Sequence, residues 1–185
     1  MYEQRAGRWE LAKTLSRDTW SSGIAIAGDR AVVHNWRRAE VYAQRAGVWT
    51  RTARVESPDE NTSFWNVAAS ERWIVFRAIG SGNVTTLYVY DLAHDAKLAA
   101  SLELAGDDAD AGFAVDATTL AAAGVQDRRW RFDGTTWSED RPIEGANRNG
   151  FYSRTVAIGD LIWIGDTART ITNAPPGFIH GFRID

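Results

Sequence analysis

Cysteine is absent from this chain of 185 residues. Its absence excludes disulfide bonds, thiolate metal sites, iron–sulfur clusters and a cysteine nucleophile. The sequence also lacks any apolar run near the roughly 18–20 residues of a membrane helix, so we expect no membrane insertion. Its first residues do not form the apolar segment of a secretory signal. A cytoplasmic protein and a mature or excised segment of a secreted protein both fit these absences.

The chain also lacks an excess of charge of one sign. Lys and Arg together number 21 and Asp and Glu together number 24, which leaves a net charge of −3. Proteins that bind nucleic acid generically carry a net positive charge, so this balance disfavours a nucleic-acid partner. The hydrophobic fraction of 44% is too high for intrinsic disorder and is typical of an ordinary globular protein.

Sequence signatures of a metal, cofactor or catalytic site are missing as well. The three histidines, His34, His94 and His180, do not show the spacing of metal ligands. There is no Gly-x-Ser-x-Gly elbow and no glycine-rich phosphate loop. Residues 107–110 form an acidic run that could supply calcium ligands, but a solvated turn is the favoured interpretation. The sequence therefore predicts no metal, no cofactor and no catalytic residues.

Internal repeats are present instead. Residues 2–9 (YEQRAGRW) and 42–49 (YAQRAGVW) agree at six of eight positions, with an offset of 40 residues. Weaker copies begin at Tyr88 and Trp130, and Ile179 opens another. The strong copies alternate around a glycine and carry an aromatic residue on each arm, which predicts a β-hairpin.

A second hairpin signal alternates with the first. Segments 24–33 and 155–164 place Gly-Asp between alternating apolar residues, which is typical of a tight turn between two strands. Looser versions span residues 66–76 and 112–123. Pairs of strands that recur every ~40–47 residues have the period of a four-stranded propeller blade. The sequence thus predicts an all-β fold, a β-propeller of four-stranded antiparallel blades.

These segments resemble FG-GAP repeats, the blades of integrin-α-like β-propellers and their bacterial relatives. Segments 20–29 and 152–160 carry the resemblance, with aromatic residues before a strand that ends in a Gly-Asp turn. Segment 49–64 also carries it, with a strand after the Gly-x-Trp hairpin, a polar link and the aromatic residue that opens the next blade. The resemblance spans essentially the whole chain and implies a secreted or cell-surface propeller. Integrin-like blades hold calcium with an Asp-x-Asp-x-Asp-Gly run. Turns such as Gly28-Asp29 are too short for that run, so the family's calcium binding is not implied.

The repeats predict one propeller domain over residues 1–185. Its blades span approximately residues 20–56, 63–104, 110–143 and 150–185, and the last of these supplies only three strands. Residues 8–15 have the pattern of an outer strand without a blade. We expect them to complete the last blade and to close a ring of four. The alternatives are a part of a larger ring and a ring that is completed by homo-oligomerisation.

Aromatic and arginine residues in the predicted loops form the candidate binding site. In propellers the links between blades and the loops between second and third strands open onto one face, and binding residues concentrate on loops. Arginine beside tryptophan suits a carbohydrate or an acidic peptide, because it offers forked donors next to a stacking surface. The alternative is that these side chains fill a narrow central channel. The candidate ligand contacts are Trp20, Trp36, Arg37, Arg38, Phe64, Trp65, Arg128 and Tyr152.

Tryptophans that recur with the blade have a different interpretation. Trp9, Trp49 and Trp137 stand at one repeat position, so we expect them to pack between blades rather than to bind a ligand.

The predicted function is a non-catalytic binding module that presents one loop face to a glycan or protein ligand, by analogy with the fold. The first alternative is a polysaccharide hydrolase or lyase that uses carboxylates such as Asp127 and Asp166. The second is an assembly part without a small ligand, in which an open edge pairs with another copy.

Overall fold

The computed structural model describes residues 2–11, 14–15, 23–80, 84–104, 112–123, 128–140, 154–158, 161–166 and 178–183. These residues form strands and one short 3₁₀ helix, Leu92–His94. The strands are β1 (Tyr2–Arg5), β2 (Arg8–Leu11), β3 (Gly23–Ala27), β4 (Arg30–His34), β5 (Arg38–Arg45), β6 (Val48–Glu56), β7 (Ser63–Ala69), β8 (Trp73–Ile79), β9 (Thr85–Asp91), β10 (Lys97–Leu104), β11 (Gly112–Val115), β12 (Thr119–Ala123), β13 (Arg128–Phe132), β14 (Trp137–Glu139), β15 (Arg154–Ile158), β16 (Leu161–Asp166) and β17 (Phe178–Arg183).

Three four-stranded antiparallel sheets dominate the fold, and we call them blade 1 (β3–β6), blade 2 (β7–β10) and blade 3 (β11–β14). Consecutive strands are neighbours in each sheet. A fourth sheet holds β15, β16 and β17, and β1 pairs with β2 in a sheet of two strands. The first strands lie next to each other in chain order, with β3 packed against β7, β7 against β11 and β11 against β15. The predicted all-β fold and the four-stranded antiparallel blades are confirmed.

The N-terminal hairpin β1–β2 repeats the outer hairpin of blade 1, β5–β6. Both turns combine an alanine and a glycine in the left-handed region, with φ of 47° and 79° at Ala6 and Gly7 and of 49° and 77° at Ala46 and Gly47. Such turns match the twist of the strands that they join. The register is also the same, since Gln4 pairs with Trp9 as Gln44 pairs with Trp49.

The expected closure of the ring by residues 8–15 is not what the structure shows. Strand β2 pairs with β1, and the described part of the last sheet contains only β15, β16 and β17. No packing comparable to that of β11 on β15 joins β15 to β3 within the described strands. The N-terminal repeat forms a hairpin of its own, in which β1 occupies one edge of β2, and no strand of the last sheet is paired with the other edge within the described residues. A closed ring of four blades is therefore not confirmed.

Among the described residues, most of the core lies in two apolar seams between neighbouring blades. Blade 2 contributes to both, because alternate residues of a strand point to opposite faces. Ile74, Phe76 and Ala78 of β8 lie in the first seam, and Trp73 and Val75 lie in the second. The first seam also contains Val32, Ala39, Val41, Val55, Phe64, Tyr90 and Ala96, and the second also contains Leu87, Val89, Leu104, Phe113, Val115, Leu120, Ala122, Trp130 and Phe132.

Burial of these seams holds the blades together. Each large apolar side chain that is fully buried contributes about 1.5–3 kcal/mol relative to an exposed one.

Among the described residues, no helix is long and apolar enough to cross a membrane.

Candidate functional site

A tight turn between β4 and β5 projects Trp36 into solvent. The side-chain oxygen of Asn35 accepts hydrogen bonds from the backbone N–H of Arg37 (3.0 Å) and of Arg38 (2.9 Å). The backbone N–H of Asn35 also donates to the carbonyl of Arg38 at 2.9 Å. Asparagine is favoured in such turns because its side chain replaces a backbone acceptor. The turn is therefore fixed by Asn35, and Trp36 and Arg37 form its exposed tip.

The link between blade 1 and blade 2 is bonded to this turn. The carbonyls of Arg37 and Trp36 accept hydrogen bonds from the backbone N–H of Ser57 and Phe64, each at 2.7 Å. Inside the link, Asp59 accepts from the Thr62 hydroxyl at 2.8 Å. This bond, together with the backbone N–H of Asn61, lowers the pKa of Asp59 below its ordinary value. The turn and the link thus form one hydrogen-bonded surface.

Trp36 and Trp65 meet on that surface, and we call them the Trp pair. Their ring centroids lie 5.5 Å apart with planes inclined by 51°. The residues remain 51% and 45% exposed, which is unusual for two large apolar side chains in contact. A β-bulge explains the position of Trp65, because the pairing of β7 with β8 shifts between Phe64 and Asn66 and leaves Trp65 out of register.

Phe64 is a core residue and not a surface contact. It is 1% exposed and stacks on Phe76, with 4.2 Å between centroids and 14° between planes. Its prediction as a ligand-binding residue is therefore corrected. The bulge that sends Trp65 to the surface leaves Phe64 in the first seam.

The three predicted arginines have different environments. Arg37 is exposed at the tip of the turn, and Arg38 is half-buried where β5 begins. Arg128 forms two charge-assisted bonds with Glu139, at 2.8 and 2.7 Å, and a third to the carbonyl of Glu103. The Arg128 guanidinium holds the pKa of Glu139 below its ordinary value. Since Glu103 belongs to blade 2, Arg128 joins the outer strands of blades 2 and 3, and its contact with a ligand stays a prediction.

Several predicted residues lie outside the part of the chain that the structure describes. They include the candidate contacts Trp20 and Tyr152, the carboxylate of Asp127 and the acidic run at 107–110. Within the described residues, no group of three potential metal ligands comes together.

Two of the recurrent tryptophans pack against other side chains of the blades. Trp49 is 7% exposed and clusters with Ala31 and Tyr42 on one face of blade 1. Trp137 lies edge-on to Trp73, with 5.2 Å between their centroids. These contacts agree with the interpretation that the repeated tryptophans pack the blades.

Comparison with known proteins addresses the architecture. No family model matches the chain, and no curated protein matches its sequence. Solved structures do match. KlAtg21 in complex with the coiled coil of AgAtg16 superposes with a TM-score of 0.60 at 13% identity, over 90% of this chain and 53% of that one. KlHsv2 with its loop 6CD replaced by a Gly-Ser linker gives 0.55 at 10% identity, over 89% and 49%.

A third match, Kluyveromyces lactis Hsv2, has a TM-score of 0.52 at 10% identity, over 86% of this chain and 50% of that one. All three are propellers of the WD40 type. The fold is a β-propeller. The chain spans about half the length of these structures. Because the identities are so low, the likeness shows the fold alone, and it does not show the FG-GAP family.

His34 is a buried residue beside the site, and it is not one of the candidate ligand contacts. It directly precedes the Asn35 turn, is 1% exposed, and lies edge-on to Phe76 with 5.7 Å between ring centroids. Its Nδ1 contacts the Asn35 carbonyl at 3.1 Å, whereas its Nε2 has no hydrogen-bond partner among the described residues. A Cβ atom on Gly23 would lie 2.5 Å from that Nε2, so glycine leaves the room for the ring. The alternation of residue types along β4 does not by itself show whether a histidine at its end is buried or exposed.

We expect the stability of the propeller to fall on mild acidification because of His34. Burial lowers the pKa of His34 below its ordinary value, although the Asn35 carbonyl opposes this effect. The unfolded chain then binds a proton near pH 6.5 that the folded chain does not. The free energy of unfolding should be highest above that pH and should decrease below it. Urea titrations between neutral pH and pH 5 measure this slope.

The matched variant is His34→Gln, which has a polar side chain of similar length that does not titrate. Its free energy of unfolding should depend less on pH over the same interval. An identical slope in the two proteins would show that His34 is not the group responsible.

Proposed function

We propose that the propeller is a non-catalytic binding module for protein ligands, with the Trp pair at the centre of the binding surface. The observation that carries this proposal is the contact of two half-exposed tryptophans at a rigid, hydrogen-bonded turn. Tryptophan is enriched among the residues that dominate protein interfaces, because it buries a large area and loses little rotational freedom. A preformed turn lowers the entropic cost of binding further.

The surroundings of the Trp pair fit a peptide segment that combines apolar and acidic side chains. Arg37 is exposed next to Trp36, and its guanidinium is suited to forked hydrogen bonds with a carboxylate. An apolar side chain of the ligand would pack against both indole rings, whose planes are inclined by 51° to each other. The matched KlAtg21 propeller is described in complex with a coiled coil of AgAtg16, which supports a protein ligand as the class to test first.

Trp36→Ala combined with Trp65→Ala should weaken ligand binding by at least tenfold, which corresponds to a loss of about 1.4 kcal/mol. The protein would first be applied to an array of random peptides and to a glycan array. The strongest peptide would then be titrated against the wild type and the double variant by interferometry. Arg37→Ala should weaken binding less than the double variant does. Its effect should be larger for acidic peptides than for neutral ones, and added salt should reduce it.

Leu98→Ala is the matched control, because Leu98 is an apolar residue of β10 with 47% exposure away from this turn. Its affinity should equal that of the wild type. Equal affinities for the double variant would remove the Trp pair from the binding site. Binding to the glycan array alone would instead favour a carbohydrate ligand, for which exposed indole faces are also suited.

A further inference from the structure

His34 connects the turn at residues 35–37 with the first seam. It ends β4, and its Nδ1 lies 3.1 Å from the carbonyl oxygen of Asn35, so the neutral ring carries its proton on Nδ1 and donates to that carbonyl. On its other side the ring packs edge-on against Phe76, which stacks on Phe64. The imidazole therefore contacts both the turn and the aromatic stack that directly precedes Trp65 in the fold.

The seam accommodates the ring of His34 in its neutral form. The residue is almost completely buried, and its Nε2 has no hydrogen-bond partner among the described residues. The space beside Nε2 is filled, because a Cβ atom on Gly23 would lie 2.5 Å from it. A proton on Nε2 would thus create a buried cation whose new N–H group has no acceptor, which is costly. The pKa of His34 is lowered by this burial.

The charged groups of the surrounding elements do not compensate such a cation. Strands β3 and β7 contain no titratable residue. Arg38 and Glu40 flank the partner of His34 in β5, so alternation places them on the other face of blade 1. Arg77 of β8 lies by the same alternation on the face of the second seam. The remaining charged groups of the turn and the link are exposed, namely Arg37, Glu56, Asp59 and Glu60.

The turn at residues 35–37 is the part of these surroundings that can move to hydrate the ring. Two residues after His34 the chain is already exposed to solvent. The carbonyls of Trp36 and Arg37 hold the backbone N–H groups of Phe64 and Ser57, each at 2.7 Å. A displacement of the turn breaks both bonds, so it separates the turn from the link and the two indole rings from each other.

We propose that protonation of His34 opens the Trp pair, so that the binding surface is intact at neutral pH and lost in mild acid. With a neutral ring, the turn and the link are bonded and the two indoles are in contact. Protonation drives the ring out of the first seam and the turn moves with it, while the second seam stays packed. The loss of ligand in acid rests on the proposed function, whereas the opening itself occurs without a ligand.

Hydrogen exchange of the ligand-free protein tests the opening, with the amides of Ser57 and Phe64 as reporters. After correction for the intrinsic exchange rate, their protection should fall by at most about tenfold for each unit of pH below about 6.5, the ordinary pKa of a hydrated histidine. Low urea should not change this protection, because a local opening exposes little surface. Amides of β8 that exchange only through global unfolding should respond to urea.

His34→Gln should make the protection of the two reporter amides independent of pH. His94→Gln is the matched control, since the His94 side chain is 69% exposed and bonds to Asp91 instead, and it should keep the wild-type pH dependence. Reporter amides of the wild type that exchange only through global unfolding, with the urea response of β8, would overturn the proposal whether or not His34→Gln folds. A pH dependence that His34→Gln retains would overturn it as well.

The strongest peptide from the array measures the consequence for binding. Its dissociation constant should be constant at neutral pH and should rise once the pH falls below the pKa of His34, by about tenfold for each further unit of pH. His34→Gln should bind this peptide equally well throughout. A constant that does not change with pH would overturn the release and leave the Trp pair as the binding site. Reporter amides that open in acid in a protein that binds no peptide would support the opening and contradict the proposed function.

Discussion

Trp73→Ala is expected to lower the free energy of unfolding by about 3–5 kcal/mol, as is usual for a fully buried tryptophan. Trp73 is 0% exposed and occupies the second seam, where Phe132 and Trp137 approach it edge-on at 4.8 and 5.2 Å. Its indole N–H donates to the carbonyl of Ala117 at 2.8 Å, so the substitution also removes the partner of that carbonyl. Urea denaturation followed by circular dichroism measures the loss.

Two further variants separate the contributions at this position. Trp73→Phe keeps an aromatic ring in the seam but loses the bond to Ala117, so it should cost less than Trp73→Ala. Trp65→Ala truncates a tryptophan that is 45% exposed and should change stability by less than about 1 kcal/mol. Similar losses for Trp65→Ala and Trp73→Ala would mean that the second seam does not dominate the stability of the propeller.

Asp91→Ala is expected to cost about 2–3 kcal/mol, less than the loss for a completely buried ion pair because Arg72 is partly solvated. The Asp91 side chain is 8% exposed and accepts from Arg72 Nη2, His94 Nδ1 and the backbone N–H of Ala93, each at 2.9 Å. These bonds fasten the turn before β8 to the end of β9. They also hold the Arg72 guanidinium over the Trp73 ring, 4.4 Å from its centroid.

The pH dependence distinguishes this carboxylate from an ordinary surface one. Burial by itself raises the pKa of Asp91, but the bonds from Arg72, His94 and Ala93 outweigh it and lower the pKa below its ordinary value. Its contribution to stability is therefore complete above about pH 4 and is lost as the pH falls further. Asp91→Asn should abolish the pH-dependent contribution of this carboxylate to stability. Glu60 is exposed, so Glu60→Ala should leave the free energy of unfolding unchanged at neutral pH. A loss for Glu60→Ala equal to that for Asp91→Ala would contradict the assignment.

The strands and turns of the fold were predictable because each depends on local chemistry. Gly28-Asp29 and Gly47 lie at tight turns as their residue types suggest, and the period of the repeats gives four strands to each blade. The closure of the ring was not predictable. Residues 2–9 predict the local hairpin in which β1 pairs with β2, but whether residues 8–15 also join the last sheet depends on long-range contacts that the sequence pattern does not contain.

The candidate site was predictable in position but not residue by residue. The link between blades and the β4–β5 turn do bring Trp36 and Trp65 together. In the pair Phe64-Trp65, however, two neighbouring aromatics must point in opposite directions, and composition does not say which one enters the core. The bulge in β7 decides it. The bonds of Arg128 to Glu139 are likewise not visible in the sequence, because Glu139 is 11 residues away and becomes adjacent only in the folded sheet.

The duplicated hairpin has a consequence for the kinetics of folding. Isolated hairpins form within about 1–10 μs, well before distant strands are brought together. When β3 and β4 associate, the edge of β4 meets two segments of nearly the same sequence, turn and register, β1–β2 and β5–β6. Only β5–β6 completes blade 1. A chain in which β1–β2 has paired with β4 must therefore release that hairpin before blade 1 can form. Refolding should therefore include a slow phase that disappears when the arms of β1–β2 are made unlike those of β5–β6.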